Sequence, residues 1–136
     1  MHILIDVQGY QSESKVRGIG RSTLAMSRAI IENAGEHRVS ILINGMYPID
    51  NINDVKMAYR DLLTDEDMFI FSAVAPTAYR HIENHGRSKA AQAARDIAIA
   101  NIAPDIVYVI SFFEGHSDSY TVSIPADNVP WKTVCV

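Results

Sequence analysis

The sequence has 136 residues, a net charge of −4, 48% hydrophobic residues and 21% charged residues. These values fit one folded domain with a substantial core, and they argue against a disordered chain, a general nucleic-acid surface or a polybasic membrane surface. No segment approaches the roughly 20 apolar residues that span a bilayer. The amino terminus lacks the basic region and cleavage site of a signal peptide, so we expect a cytoplasmic protein.

Short apolar runs alternate with segments of helical character. The predicted strands cover residues 2–7, 39–43, 68–74, 106–110 and 132–136. The predicted helices cover residues 19–33, 54–63 and 88–102. Strands that alternate with helices predict an α/β fold, with a parallel sheet covered by helices on both faces.

The third predicted helix is rich in alanine, and its apolar residues recur at helical spacing. The residues expected on its inner face are Ala90, Ala94, Ile97, Ala98 and Ile102. The single cysteine, Cys135, lies in an apolar run and is expected to be a buried thiol. The chain stops inside this run, at Val136, so we expect the sequence to be the front part of a longer protein.

Two arginines bracket a glycine pair between the first strand and the first helix: Arg17, Gly18, Gly20 and Arg21. Ligands of open α/β sheets bind at the carboxyl ends of the strands. The N–H groups of a helix N-terminus attract anions, glycine allows close approach, and arginine pairs with phosphate or carboxylate. The pattern predicts a site for a phosphate or a sugar; solvated arginines at an ordinary junction are the alternative.

Two nucleotide motifs fit this segment poorly. The third position of the dinucleotide pattern is Thr23 rather than a small residue, and Asn44-Gly45 stands where an acidic residue is expected after the second strand. A phosphate-loop motif also needs Gly-Lys-Ser/Thr, which does not follow the glycines.

A second polar segment follows the fourth predicted strand, at the same edge of the sheet. Glu114, Gly115, His116 and Asp118 stand there, and the side chains of Glu114, His116 and Asp118 could bind the hydroxyl groups of a sugar. The alternative is a solvated loop whose aromatic residues cover the core. The histidines and carboxylates have no established metal spacing, so we expect no metal and no cofactor.

Two segments together resemble group 1 (family 4) bacterial glycosyltransferases, particularly the mannosyltransferase-like branch. They are ILIDVQGYQSESKVRGIGRSTLAMSRAI, residues 3–30, and APDIVYVISFFEGHSDSYTVSI, residues 103–124. The resemblance implies a Rossmann-like parallel sheet that forms the N-terminal, acceptor-side half of a GT-B fold. The C-terminal domain, which would hold most of the nucleotide-sugar donor, would be absent from residues 1–136.

The same resemblance implies a function for the complete protein. It would transfer a hexose, with mannose suggested by the branch, from a nucleotide sugar to a glycan or lipid-linked acceptor, with the anomeric configuration retained. The resemblance implies that Gly18, Gly20 and Arg21, with Arg17 beside them, would border the donor phosphates. Glu114, Gly115 and Asp118 would be the matching residues of the second segment. The fragment alone would be inactive, and the complete protein could associate peripherally with the inner face of the membrane.

Three other interpretations stay open. A stand-alone α/β module would bind a phosphorylated small molecule or nucleotide without a second domain. A nicotinamide or flavin enzyme would bind its cofactor tightly. A structural or interaction domain would tolerate substitution of Arg17 and Arg21.

Overall fold

The computed structural model describes residues 1–123 and 128–136. They contain a five-stranded sheet in the order β3-β2-β1-β4-β5, in which every pair of neighbours is parallel. The strands are β1 (His2–Asp6), β2 (Arg38–Asn44), β3 (Met68–Phe71), β4 (Ile106–Val109) and β5 (Lys132–Cys135). The α-helices are α1 (Gly18–Glu32), α2 (Ile49–Tyr59) and α3 (His85–Ile102). The predicted α/β fold is therefore confirmed.

The helices cover both faces of the sheet because alternate side chains of each strand point to opposite faces. One face of β1 places Ile5 in a core with Val55 and Tyr59 of α2, against which Leu24 of α1 also packs. The other face places Leu4 in a second core that includes Ile99 of α3. The strands are thus buried on two sides, as their continuous apolar runs predict.

The start of α2 differs from the prediction. The helix begins at Ile49 rather than at residue 54, because the carbonyl of Pro48 accepts hydrogen bonds from the N–H groups of Asn51 and Ile52. In the first turns of α2 the buried Ile52 lies among Asp50, Asn51 and Asn53, which have low helix propensity, so the start of the helix is hard to predict. None of the helices in the described part of the chain is long and apolar enough to cross a membrane.

The inner face of α3 was predicted only in part. Ala98 and Ile102 pack against the core as expected. Ile97, which was also expected there, is 62% exposed. The buried residues of the helix include a charged one, Arg95, which points inward to a buried partner on the sheet and which apolar spacing does not predict.

The prediction of a buried thiol was also wrong, since Cys135 is exposed. The residue lies on β5, an edge strand that pairs only with β4 in the described sheet. We expect Cys135 in the folded 136-residue chain to react completely with a thiol reagent such as Ellman's reagent, at a rate close to that of the unfolded chain. Protection that disappears only in denaturant would contradict the exposed position.

Candidate functional site

A buried ion pair lies directly below the carboxyl edge of the sheet. Asp6, the last residue of β1, accepts hydrogen bonds from the guanidinium of Arg95, at 3.0 Å from Nε and 2.8 Å from Nη2. Both side chains are almost fully buried. The carboxylate also accepts from the backbone N–H of Gln8 at 3.1 Å and from its side-chain amide at 2.9 Å. Asp6 therefore joins β1, α3 and the following loop.

Gln8 links three segments that end at this edge. Its amide oxygen accepts from Nδ2 of Asn44 at 2.7 Å and from the N–H of Thr121 at 2.9 Å. Its amide nitrogen lies 2.7 Å from the carbonyl oxygen of Thr121. The ends of β1 and β2 and the loop after β4 are thus held together by one side chain.

The segment from residue 9 to residue 16 has the polar composition of a loop, but much of it is ordered and buried. It forms two short 3-10 turns, Gln8–Tyr10 and Glu13–Val16, and several of its polar side chains are buried. The side chain of Gln11 accepts from the N–H of Asn44 at 2.8 Å and donates to its carbonyl at 3.0 Å. These bonds hold in place the chain that leads to residues 17–21, here called the glycine-arginine segment.

The two glycines of that segment differ in their surroundings. A Cβ on Gly20 would lie 2.1 Å from the carbonyl oxygen of Lys15, so only glycine allows the 3-10 turn to pack against α1. A Cβ on Gly18 would meet nothing within 4 Å. Gly20 is thus needed for packing, and Gly18 leaves open space at the first residue of α1.

Arg17 and Arg21 are both exposed, and they flank the N-terminus of α1. The first N–H groups of a helix have no intrahelical acceptor and carry a partial positive charge. The helix end and the two arginines can attract an anion. A cavity of about 410 Å³ lies beside them, with a mainly apolar wall. Its lining residues are Gly18, Ile19, Ser22, Met26, Ile110, Ser111 and Val136.

The second predicted group comes close to the first. The hydroxyl of Ser14, in the turn before α1, lies 3.4 Å from Oε2 of Glu114 and 3.4 Å from Oδ2 of Asp118. Both distances are long for O–H···O hydrogen bonds, so the two carboxylates keep acceptor capacity for a ligand. The structure therefore brings Glu114 and Asp118 together beside the glycine-arginine segment.

Gly115 and His116 lie on the other side of the same turn, Glu114–His116, and they border a separate cavity near α3. Two tyrosines stand near the carboxylates. Burial raises the pKa of Tyr47 and of Tyr120 well above the ordinary value, and carboxylates nearby raise it further. Both phenols are therefore protonated near neutral pH. The hydroxyl of Tyr47 donates to the carbonyl of Ser119.

In the part of the chain that the structure describes, no three histidine, cysteine or acidic side chains converge on a potential metal position. The network of Asp6, Gln8, Asn44 and Arg95 was not predicted from the sequence. Its only local signals were polar residues directly after an apolar strand and an arginine within an alanine-rich helix. Its partners are too far apart in the sequence for spacing to reveal them.

Comparison with known proteins gives a close relative. Over all of its 136 residues the chain is 99% identical to a protein described as "Serotype-specific mannosyltransferase WbdA" from Escherichia coli. The chain is similar to one segment of a mannosyltransferase. A second Escherichia coli protein of the same description is 94% identical over 111 residues, or 82% of the chain.

The chain spans 16% of the length of the first mannosyltransferase and 14% of the second. No protein-family model matches the chain, and no solved structure matches it. The similarity to both mannosyltransferases agrees with the glycosyltransferase resemblance of the two sequence segments.

Proposed function

We propose that the chain is the acceptor-side, N-terminal domain of a retaining GT-B glycosyltransferase of family 4. The complete enzyme would transfer mannose from a nucleotide sugar to a glycan or lipid-linked acceptor, in the cytoplasm or at the inner face of the membrane. The observation that carries this proposal is the 99% identity, over the whole chain, to a protein described as a mannosyltransferase. The isolated chain would be inactive, because a donor domain would supply the other half of the cleft.

In this reaction the bond between the anomeric carbon and the diphosphate oxygen breaks, and the oxygen of an acceptor hydroxyl group forms the new bond on the same face of the sugar. The proton of that hydroxyl group would pass to the departing diphosphate. Negative charge develops on the leaving diphosphate. Preorganised donors that face such charge stabilise the transition state. Arg17, Arg21 and the N-terminus of α1 lie together and would supply positive charge at this point.

The carboxylates of Glu114 and Asp118 would bind hydroxyl groups of the acceptor. They stand beside the glycine-arginine segment, both within 3.4 Å of Ser14 Oγ. An ionised carboxylate only accepts hydrogen bonds, and it can accept several, which suits a sugar with neighbouring hydroxyls. This arrangement would place the acceptor next to the leaving phosphate.

Arg21→Ala should lower kcat of the complete enzyme about 10- to 100-fold, because a hydrogen bond to a charged group contributes about 1.5–3 kcal/mol. Arg21→Lys should recover part of the rate, since lysine keeps the charge but loses the bidentate geometry. The measurement is steady-state transfer of mannose from a nucleotide donor. Arg60→Ala is the matched control, because Arg60 is exposed and follows α2 at the opposite edge of the sheet. Equal rates for Arg21→Ala and Arg60→Ala would remove the role assigned to Arg21.

A further inference from the structure

The cavity beside the Glu114–His116 turn has a volume of about 280 Å³ and is open to solvent. Most of its wall is aromatic. The aromatic rings that line it belong to Tyr79, Phe112, Phe113, His116 and Tyr120. Ser88 and Gln92, in the first turns of α3, add polar groups. A mainly apolar wall with a few polar side chains is the usual composition of a small-molecule site.

Phe113 is the most exposed side chain of this wall. It is 87% exposed, and it meets Phe112 edge to face, with ring centroids 5.7 Å apart and an interplanar angle of 88°. A ring in this position contributes little to either core of the protein. Together with Tyr79, which is also exposed, it offers an aromatic surface to a ligand.

The aromatic wall is held in place by the backbone. The N–H of Tyr79 donates to the carbonyl of Gly115, and the N–H of Arg80 donates to the carbonyl of His116, both at 3.0 Å. The ring of Tyr79 stacks on His85, with centroids 4.0 Å apart and an interplanar angle of 14°. A wall that is already ordered loses little conformational entropy when a ligand binds.

Hydrogen-bonding groups lie close to this wall. Nε2 of Gln92 donates to the hydroxyl of Ser88 at 3.3 Å, which orients the amide. Tyr120 is only 2% exposed, and its hydroxyl has no partner within residues 1–123 and 128–136. The amide of Gln92, the hydroxyl of Ser88 and the imidazole of His116 can each donate and accept hydrogen bonds, as the hydroxyl groups of a sugar require.

We propose that this cavity binds one pyranose unit of the acceptor glycan. The C–H face of the sugar would lie against Phe113 and Tyr79, and its hydroxyl groups would meet Gln92 and His116. This inference rests on the proposed function and extends it. One sugar unit of the acceptor would occupy this cavity, next to the unit that Glu114 and Asp118 would bind. The turn Glu114–His116 borders both places, so neighbouring units of one glycan can occupy them.

The size and charge of the cavity favour a sugar over a nucleotide. Its volume is at the lower end of the range of about 300–1,000 Å³ that is usual for ligand pockets, which leaves room for a single ring. The described residues that line it include no lysine or arginine. A nucleotide would bring a charged phosphate group that nothing in this wall would neutralise.

The test is saturation-transfer NMR on the 136-residue chain with methyl α-D-mannopyranoside as the probe. We expect magnetisation transfer to the ring C–H protons of the sugar. Phe113→Ala should weaken binding about 3- to 10-fold, the factor that matches an aromatic contact of roughly 0.5–1.5 kcal/mol. Phe113→Trp should preserve binding. Ile82→Ala is the matched control, because Ile82 is 80% exposed, apolar and outside the cavity wall.

Three results would overturn the inference: no transfer to the sugar, equal transfer for the wild type and Phe113→Ala, or displacement of the sugar by GDP or UDP. Because Phe113 is exposed, its replacement should leave the fold intact, which circular dichroism checks. The proposed function has a separate test in the kinetics of the complete enzyme. If the complete enzyme transfers mannose but this cavity binds no sugar, the inference is wrong and the proposed function stands. If the cavity binds the sugar but the complete enzyme transfers no mannose, the proposed function is wrong.

Discussion

Arg95→Ala should destabilise the chain by about 3–5 kcal/mol, because it removes the cation from a buried carboxylate. Asp6 is fully buried, and Arg95 supplies two hydrogen bonds to it, at 2.8 and 3.0 Å. Without the guanidinium, the carboxylate must stay charged in an apolar environment or take up a proton. The free energy of unfolding from urea denaturation, followed by circular dichroism, measures the loss.

Two further variants separate the ion pair from general effects on α3. Lys89→Ala changes an exposed residue of the same helix, and it should alter the stability by less than about 0.5 kcal/mol. The double variant Asp6→Asn with Arg95→Met removes both charges but keeps an amide oxygen that can accept from the N–H of Gln8, and it should recover much of the loss. If Arg95→Ala were as stable as Lys89→Ala, the buried pair would have no role in holding α3 to β1.

Gly20→Ala should cost about 1–3 kcal/mol of stability, because the added methyl group must displace backbone rather than a flexible side chain. Its Cβ would lie 2.1 Å from the carbonyl oxygen of Lys15. The Glu13–Val16 turn would have to move away from α1, and Ser14 would move with it, away from Glu114. The complete enzyme should therefore also lose activity.

Gly18→Ala provides the matched comparison, since a Cβ there meets nothing within 4 Å. Alanine restricts the unfolded chain more than glycine does, so Gly18→Ala should leave the stability unchanged or raise it by up to about 1 kcal/mol. Thermal unfolding of both variants under identical conditions tests the difference. Equal melting temperatures for the two variants would show that the Glu13–Val16 turn can move without loss of stability and that Gly20 is not required for packing.

The strands were predictable from sequence because each is a short apolar run that is buried on both faces. The inner face of α3 was predictable only in part. Ala98 and Ile102 pack on the core as their spacing suggests, but burial of Arg95 depends on Asp6, which lies 89 positions away in the sequence. Ile97 was placed inside because its apolar character alone suggested burial.

The candidate site was also predictable only in part. The position of Gly18 and Gly20 at the start of α1, the first helix after β1, follows from the order of elements, and so does the placement of Glu114 after β4 at the same edge. The contact between Ser14 and Glu114 depends on the folding of the segment between β1 and α1, which looks like an exposed polar loop in the sequence. Its buried glutamines pair with backbone groups of distant segments, and no local pattern records such pairing.

The pairing of residues 79–80 with residues 115–116 uses main-chain atoms only. The side chains of Tyr79, Phe113 and His116 therefore have little part in keeping the two segments together. A library of substitutions at these three positions should thus retain folded protein in most of its members. If the proposed sugar site is correct, this rim would be a practical place to change its preference.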